Sequence, residues 1–216
     1  MYVLFLAPNS YAMTVHAILE ETGASYELRW VDIFTDDPSP EFLSVSPHAR
    51  VPALKHPGGA LCETGAVAWF LSEKFPDAKL QVEADDPRRG EFLQWFHFLA
   101  TTLQPDVMIQ FHPETYFSTE IDQHRLKSAS MGRLAKVLRT LDSALSEGPF
   151  FMGEDLTLLD YLFAMQAVWP QIYPTHIADF PNIHRLVERV TARPAVMKII
   201  QVHEAQRGES IWSNAR

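Results

Sequence analysis

The sequence predicts a small α/β domain followed by an all-helical domain, and three observations carry that prediction. Over the first 75 residues, short runs of β-forming residues alternate with stretches of helical spacing. A proline- and aspartate-bearing stretch then interrupts the pattern, and beyond it every long periodic stretch steps by threes and fours. Composition says that the chain folds: of 216 residues 47% are apolar and only 21% charged, too greasy a mixture for a disordered chain. The length alone admits one large domain or two small ones, and the interruption selects two.

Taken in order, Tyr2 to Ala7 is a β-rich run that stops at Pro8, as a buried strand would. From Ala12 to Thr22 the positions Val15, Ile18 and Leu19 take helical spacing, with Gly23 as the stop. Tyr26 to Val31 reads as a second strand, and a βαβ unit this short implies two parallel strands joined by a right-handed crossover. A short helical piece lies around Glu41 to Val45. Val51 to His56, the turn Pro57-Gly58-Gly59 and Ala60 to Glu63 then form a hairpin. Thr64 to Phe75 is a helix that packs through Val67, Phe70 and Leu71. The order βαβ followed by ββα describes an α/β domain of thioredoxin type.

Prolines and aspartates between Pro76 and Pro87 suit a linker. Past it, Phe92, Phe96, Leu99 and Leu103 share one helical face, as do Leu134, Leu138, Leu141 and Leu145. Leu158, Leu162, Met165 and Trp169 repeat the spacing, followed by Ile183, Leu186, Val187 and Val190, then Val196, Ile199 and Ile200. Pro105 should kink or end the first of these helices, and Pro170 and Pro174 should close the third. The tail from Gln206 to Arg216 has no periodicity. The expected division is residues 1–76, a linker 77–86 and a helical domain 87–216.

Charge and cysteine content exclude several functions. A net charge of -9 leaves no footprint for gripping a phosphate backbone or an anionic membrane, so nucleic acid and membrane are not expected partners. No apolar run approaches the ~20 residues needed to cross a bilayer, and the apolar start lacks the basic flank of a signal peptide, so a cytoplasmic location is expected. One cysteine, Cys62, excludes an intrachain disulfide and a CxxC pair; before Glu63 on an apolar strand it is expected to be buried and inert. Nine histidines are spread over different elements without the i,i+4 pairing of a zinc helix, and no metal is expected.

Three loops could carry chemistry. Pro52 opens a strand, where it cannot donate to the ladder; read as a bare dipeptide, Val51-Pro52 is ordinary strand punctuation. In a thioredoxin-type domain the same position favours a cis-proline, which turns the Val51 backbone outward to pair with an extended peptide. Thr64 stands where a helix needs an N-cap. The free N–H groups and dipole of that helix end would also hold a carboxylate while Glu63 pairs with an ammonium, a match for the zwitterionic end of an amino acid. Between the first strand and first helix, Asn9, Ser10 and Tyr11 offer donors that could stabilise a thiolate near a positive helix end. Ser10 reads equally as a cap. No cysteine lies there, so such a thiol would belong to a ligand.

These residues resemble the cytosolic, bacterial-type glutathione S-transferases. The likeness rests on the start Tyr2-Val-Leu-Phe-Leu-Ala-Pro8, on Leu19-Glu-Glu-Thr-Gly23, on Ser46-Pro-His-Ala-Arg-Val-Pro-Ala-Leu54, on Leu61-Cys-Glu-Thr-Gly-Ala-Val67 and on Leu156-Thr-Leu-Leu-Asp160. It spans residues 1 to about 205, is strongest in the first 75, and includes a Thr157-x-x-Asp160 helix-capping signature. The resemblance implies glutathione as co-substrate, with Val51 beside Pro52 pairing with its cysteinyl backbone and with Glu63 and Thr64 holding the γ-glutamyl end. Thr64 replaces the serine common in the family and keeps the hydroxyl. Arg50 and His48 are candidates for the glycyl carboxylate. For the thiol-activating donor the order is Ser10, Tyr11, then Asn9, because different classes of the family align their activating residue to each. A hydrophobic co-substrate pocket would be lined by Phe111, His112, Tyr116 and Phe117. Conjugation of glutathione to a small hydrophobic electrophile by a homodimer is the implied activity. Alternatives are a glutathione-dependent disulfide or peroxide reductase and a non-catalytic binding or regulatory protein of the same fold.

Overall fold

The computed structural model describes residues 1–169, 173 and 177–208; Pro170, Pro174, His176 and the tail from 209 onward lie outside the described residues. The chain forms two compact units. One comprises Met1–Gln81 together with the described residues from Val190 on, and the other comprises Val82–Arg189.

The first unit is built on a four-stranded sheet of order β2-β1-β3-β4, with strands Tyr2–Leu6 (β1), Tyr26–Trp30 (β2), Ala53–His56 (β3) and Gly59–Cys62 (β4). As the short βαβ unit requires, β1 and β2 run parallel, while β3 is antiparallel to both β1 and β4. Helix α1, Ala12–Glu21, is buried from Ala12 through Leu19, and ends where Gly23 takes a left-handed φ of 65°. That conformation costs glycine little and lets the Ala24 N–H reach back to the Leu19 carbonyl at 3.1 Å. Ser39 accepts from the Phe42 N–H to cap the short α2, Pro40–Val45. Phe42 and Val45 then pack with Phe5 and Ala53 into one apolar cluster. Helix α3, Thr64–Lys74, buries Val67, Ala68 and Leu71, and Phe70 is only part-buried. Cys62, expected to be buried, is part-exposed, because β4 is an edge strand with a neighbour on one side only.

The second unit is helical among the described residues: α4 (Arg89–His97), α5 (Gln104–Phe111), α6 (Glu120–Ala144), α7 (Leu158–Ala167) and most of α8 (Pro181–Thr191). Pro105 does not end the helix. A π-helical turn over Phe98–Leu103 joins α4 to α5 and places Pro105 in the first turn of α5. The wider turn accommodates both the missing N–H and the ring that would otherwise crowd the carbonyl one turn back. Leu134, Leu138, Leu141 and Leu145 are fully buried, as their spacing predicts. Across α5 and α6 the Asp106 carboxylate accepts from the Arg133 guanidinium at 2.6 and 2.9 Å. Thr157 and Asp160 form the expected capping box on α7. The Thr157 N–H donates to Asp160 at 2.7 Å, and the Phe151 N–H donates to the other carboxylate oxygen at 2.9 Å. Burial nonetheless pushes the Asp160 carboxyl up to about 7, against the pull of these donors.

Helix α9, Pro194–Arg207, follows the helical segment in sequence yet belongs to the sheet unit, where it packs on α1. Its helix continues two residues into the stretch without periodicity and stops at Gly208, left-handed with φ 78°. Arg193, just before it, donates to Glu21 at 3.2 Å, and Lys198 donates to both oxygens of Glu20 at 2.7 and 2.8 Å.

Candidate functional site

Strand register brings the three candidate loops together. Ala53 pairs with Phe5 on one side and with Cys62 on the other. The chain leaving β1 after Leu6, the chain entering β3 through Val51 and Pro52, and the chain leaving β4 at Glu63 therefore meet at one end of the sheet. The parallel partner of Leu6, Trp30, ends β2 at the same edge. Helices α1 and α3 both start there, so two positive dipole ends converge on this edge.

At the β3 entrance the Val51–Pro52 peptide is cis. The loop before it is clamped by Ser46, a residue the sequence did not single out. Its buried hydroxyl donates to the Arg50 carbonyl at 2.8 Å and accepts from the Arg50 N–H at 3.0 Å. Ala49, inside the clamp, holds a left-handed φ of 50°, which costs a residue with a Cβ on the order of 1 kcal/mol. Val51 packs its side chain on the Phe5, Phe42, Val45 and Ala53 cluster. The side chains of His48 and Arg50 are exposed.

The β4 exit departs from the expectation in one detail. Glu63, not Thr64, is the N-cap of α3: its carbonyl accepts from the Val67 N–H at 2.9 Å, and its side chain makes no capping bond. The backbone of Glu63, at φ 73° and ψ 116°, turns the chain from strand to helix in one residue. That turn leaves Thr64 already helical. The N–H groups of Thr64, Gly65 and Ala66 have no helical carbonyl behind them, and all three residues are at least part-exposed. A carboxylate fits this helix end, with the exposed Glu63 carboxylate beside it for a cation.

In the β1–α1 loop the Ser10 hydroxyl donates to the Ala7 carbonyl at 2.8 Å and accepts from the Ala12 N–H at 3.4 Å, the pattern of a turn-stabilising cap. Its proton thus points into the loop. Tyr11 occupies the position before α1, without a capping bond, and Asn9 adopts a left-handed φ of 50°. The Asn9 N–H donates to His203 Nδ1, on α9, at 3.1 Å.

His203 opens a polar chain, buried at its two histidines and part-buried beyond them, that the sequence left unread. His203 Nε2 lies 3.3 Å from His16 Nδ1, His16 Nε2 lies 3.0 Å from the Tyr26 hydroxyl, and the Tyr26 hydroxyl meets Glu20, which Lys198 neutralises. Burial lowers the pKa of His16 to about 4 and that of His203 to about 3, so both rings are neutral near pH 7. Burial also raises the Tyr26 phenol, as does its bond to Glu20. For Glu20 itself, burial is outweighed by the bonds from Lys198 and Tyr26, which hold the carboxyl below its ordinary value. No single signal marked this chain in the sequence, since its members stand at positions 9, 16, 20, 26, 198 and 203.

In the helical unit Phe111 ends α5 and makes an edge contact with Trp169 at 5.3 Å between centroids, while His112 bonds Glu114 at 3.1 Å. Tyr116 and Phe117 are exposed. Among the described residues, no group of three or more histidine, cysteine, aspartate or glutamate side chains is arranged to hold a metal ion, and no helix is long and apolar enough to cross a membrane.

Fold and loop geometry define a thioredoxin-like ligand-binding unit joined to a helical one, the architecture of glutathione S-transferases. Family models agree. Residues 4–79 match the glutathione S-transferase N-terminal domain and residues 100–194 the C-terminal domain. The chain belongs to the glutathione S-transferase family. It is 26% identical over 204 residues to a glutathione S-transferase domain-containing protein of Dictyostelium discoideum, covering 90% of this chain and 78% of that one. It is likewise 26% identical over 208 residues to the disulfide-bond oxidoreductase YfcG of Escherichia coli, covering 90% and 92%. Among solved structures, a sphingomonad glutathione S-transferase complexed with glutathione superposes with a TM-score of 0.82 at 24% identity, covering 93% of this chain and 98% of that one.

Proposed function

We propose that the chain binds glutathione at the loop-bearing end of its sheet and holds the thiol as a thiolate for attack on a small hydrophobic electrophile. The observation that carries this reading is the register that sets the Val51–Pro52 entrance beside the start of α3 and opposite the β1–α1 loop. In this arrangement the Val51 backbone pairs with the cysteinyl unit as an added strand would. The N–H groups at the start of α3 take the γ-glutamyl carboxylate, and Glu63 takes its ammonium. Arg50 and His48 face the glycyl carboxylate. The sulfur then lies toward the start of α1, among Asn9, Ser10 and Tyr11, where the helix dipole lowers the thiol pKa from its usual ~8.5. In the reaction the thiol proton leaves to solvent. The sulfur lone pair forms a C–S bond to the electrophilic carbon, and the leaving group departs with its bonding electrons. Phe111, His112, Tyr116 and Phe117 are the proposed contacts for the apolar co-substrate. A homodimer in the cytoplasm completes the reading.

Calorimetry with glutathione tests the binding step, and ultraviolet titration of the bound thiolate in wild type and Ser10→Ala tests activation. Saturable binding with a thiolate pKa well below ~8.5 supports the reading. Absence of binding at millimolar glutathione would reject it, and an unchanged thiolate pKa in Ser10→Ala would remove Ser10 as the donor.

The likeness to the disulfide-bond oxidoreductase favours a second reading, in which the same thiolate attacks a disulfide sulfur or a peroxide oxygen. A panel of a chloronitroaromatic, a hydroperoxide and a mixed disulfide separates the two. Turnover restricted to the last two substrates selects reduction.

A further inference from the structure

The β1–α1 loop carries every thiol-activating candidate, and one of its bonds leaves the loop for a residue 194 positions away: the Asn9 N–H donates to His203 Nδ1. Proton bookkeeping fixes the direction of everything behind that bond. A backbone N–H can only donate, so His203 Nδ1 accepts, and in the neutral ring the proton sits on Nε2. His203 Nε2–H therefore donates to His16 Nδ1, which leaves the His16 proton on Nε2 to donate to the Tyr26 oxygen. The Tyr26 O–H donates in turn to Glu20, whose charge is met by Lys198. Each link admits one orientation only. The buried His203 ring also makes a T-shaped contact with the Trp30 ring at 5.1 Å between centroids.

A polar chain of this kind could serve stability alone. Its terminus argues for more. Asn9 is held in a left-handed conformation that asparagine tolerates but does not prefer, immediately before Ser10 and Tyr11. The anchor that fixes it belongs to a different helix from the one the loop leads into.

We propose that His203 is a positioning residue: by accepting the Asn9 N–H it sets the β1–α1 loop, and with it the thiol-activating donors, in register with the Val51–Pro52 entrance and the start of α3. The inference rests on the glutathione-activating reading above and extends it to α9. His16 acts behind His203 by accepting its Nε2 proton, which supports the tautomer the Asn9 N–H requires; a proton on His203 Nδ1 would face that N–H donor to donor. His203 touches no substrate in this scheme.

The experiment compares wild type with His203→Phe, which removes the acceptor, and with His203→Asn, whose carbonyl oxygen restores an acceptor at the place of Nδ1. Three quantities are read: hydrogen exchange of the Asn9 amide without ligand, affinity for glutathione, and the pKa of the bound thiol. His203→Phe is expected to speed Asn9 exchange and to raise the bound-thiol pKa by about one unit, a tenfold loss of thiolate below that pKa. It should leave the affinity for glutathione little changed, and His203→Asn should recover most of each effect. A folded His203→Phe chain with unchanged Asn9 exchange overturns the anchor. Faster exchange with an unchanged thiol pKa overturns the link to activation. Should His203→Phe fail to fold, nitrogen chemical shifts of the wild-type imidazoles decide, because a proton on His203 Nδ1 at neutral pH contradicts the proposal. Failure of the wild type to bind glutathione would instead sink the functional reading beneath it, leaving Asn9 exchange to judge the anchor alone.

Discussion

Acidification from about pH 7 to pH 4.5 should weaken the fold through His16 and His203, by an amount that follows from their burial. Both rings have an ordinary value of 6.5 and are lowered in the fold, to about 4 and about 3. Between pH 6.5 and those values the unfolded chain binds protons that the folded chain refuses. Their contribution is therefore fully present above pH 6.5 and is lost as pH falls. At pH 5.5 an unfolded histidine is about nine-tenths protonated, so each ring contributes a slope of about 1.2 kcal/mol per pH unit. Asp160 opposes them. Its carboxyl, raised from 3.8 to about 7, takes up a proton in the folded state across the same range and gives stability back at close to 1.3 kcal/mol per unit. The three groups together leave a net loss of roughly 1 kcal/mol per unit of acidification. Imidazole resonances followed by NMR across pH, together with urea midpoints, measure both halves of this. Two histidines should show no titration above about pH 5, and His203→Asn should flatten the urea slope by about 1.2 kcal/mol per unit. A midpoint near 6.5 for either ring would refute the reasoning.

Two further outcomes are expected. Ser46→Ala leaves the Arg50 N–H and carbonyl without their clamp; it should cost about 1–3 kcal/mol in urea unfolding and weaken glutathione binding in calorimetry. Asp142 Oδ1 accepts from the N–H groups of Asn182 and Ile183 at 2.9 and 3.1 Å and so caps α8 from α6. Asp142→Ala should cost about 0.5–2 kcal/mol, read from urea midpoints, with glutathione affinity unchanged.

What the sequence made legible is what local periodicity encodes. Leucines spaced by threes and fours on α6 fall on its buried face, and the expected turn sits between β3 and β4, though it is Pro57-Gly58 alone, with Gly59 already paired to His56 as the first residue of β4; spacing and turn chemistry act over a few residues. Val51–Pro52 and Glu63–Thr64 stood out for the same reason, each lying at an element boundary. Periodicity says that a helix has an apolar face but not which surface receives it. The spacing of Val196, Ile199 and Ile200 therefore identified α9 without placing it on α1. His203 on that helix could not be matched with His16 from spacing of any kind. Glu63 was misjudged as lying before the cap because a left-handed backbone at a non-glycine residue leaves no mark in the sequence. Cys62 was expected to be buried because its strand is apolar, whereas strand order decides exposure, and order is a non-local property.

The placement of α9 has a consequence for biosynthesis. His16 and its imidazole partner are separated by 187 positions. At roughly 5–20 residues per second, a ribosome finishes that partner about 10–40 s after His16 has been made. Throughout that interval the Asn9 amide lacks its acceptor and His16 lacks its imidazole donor. A translation product truncated before α9 would leave the face of α1 that receives this helix uncovered.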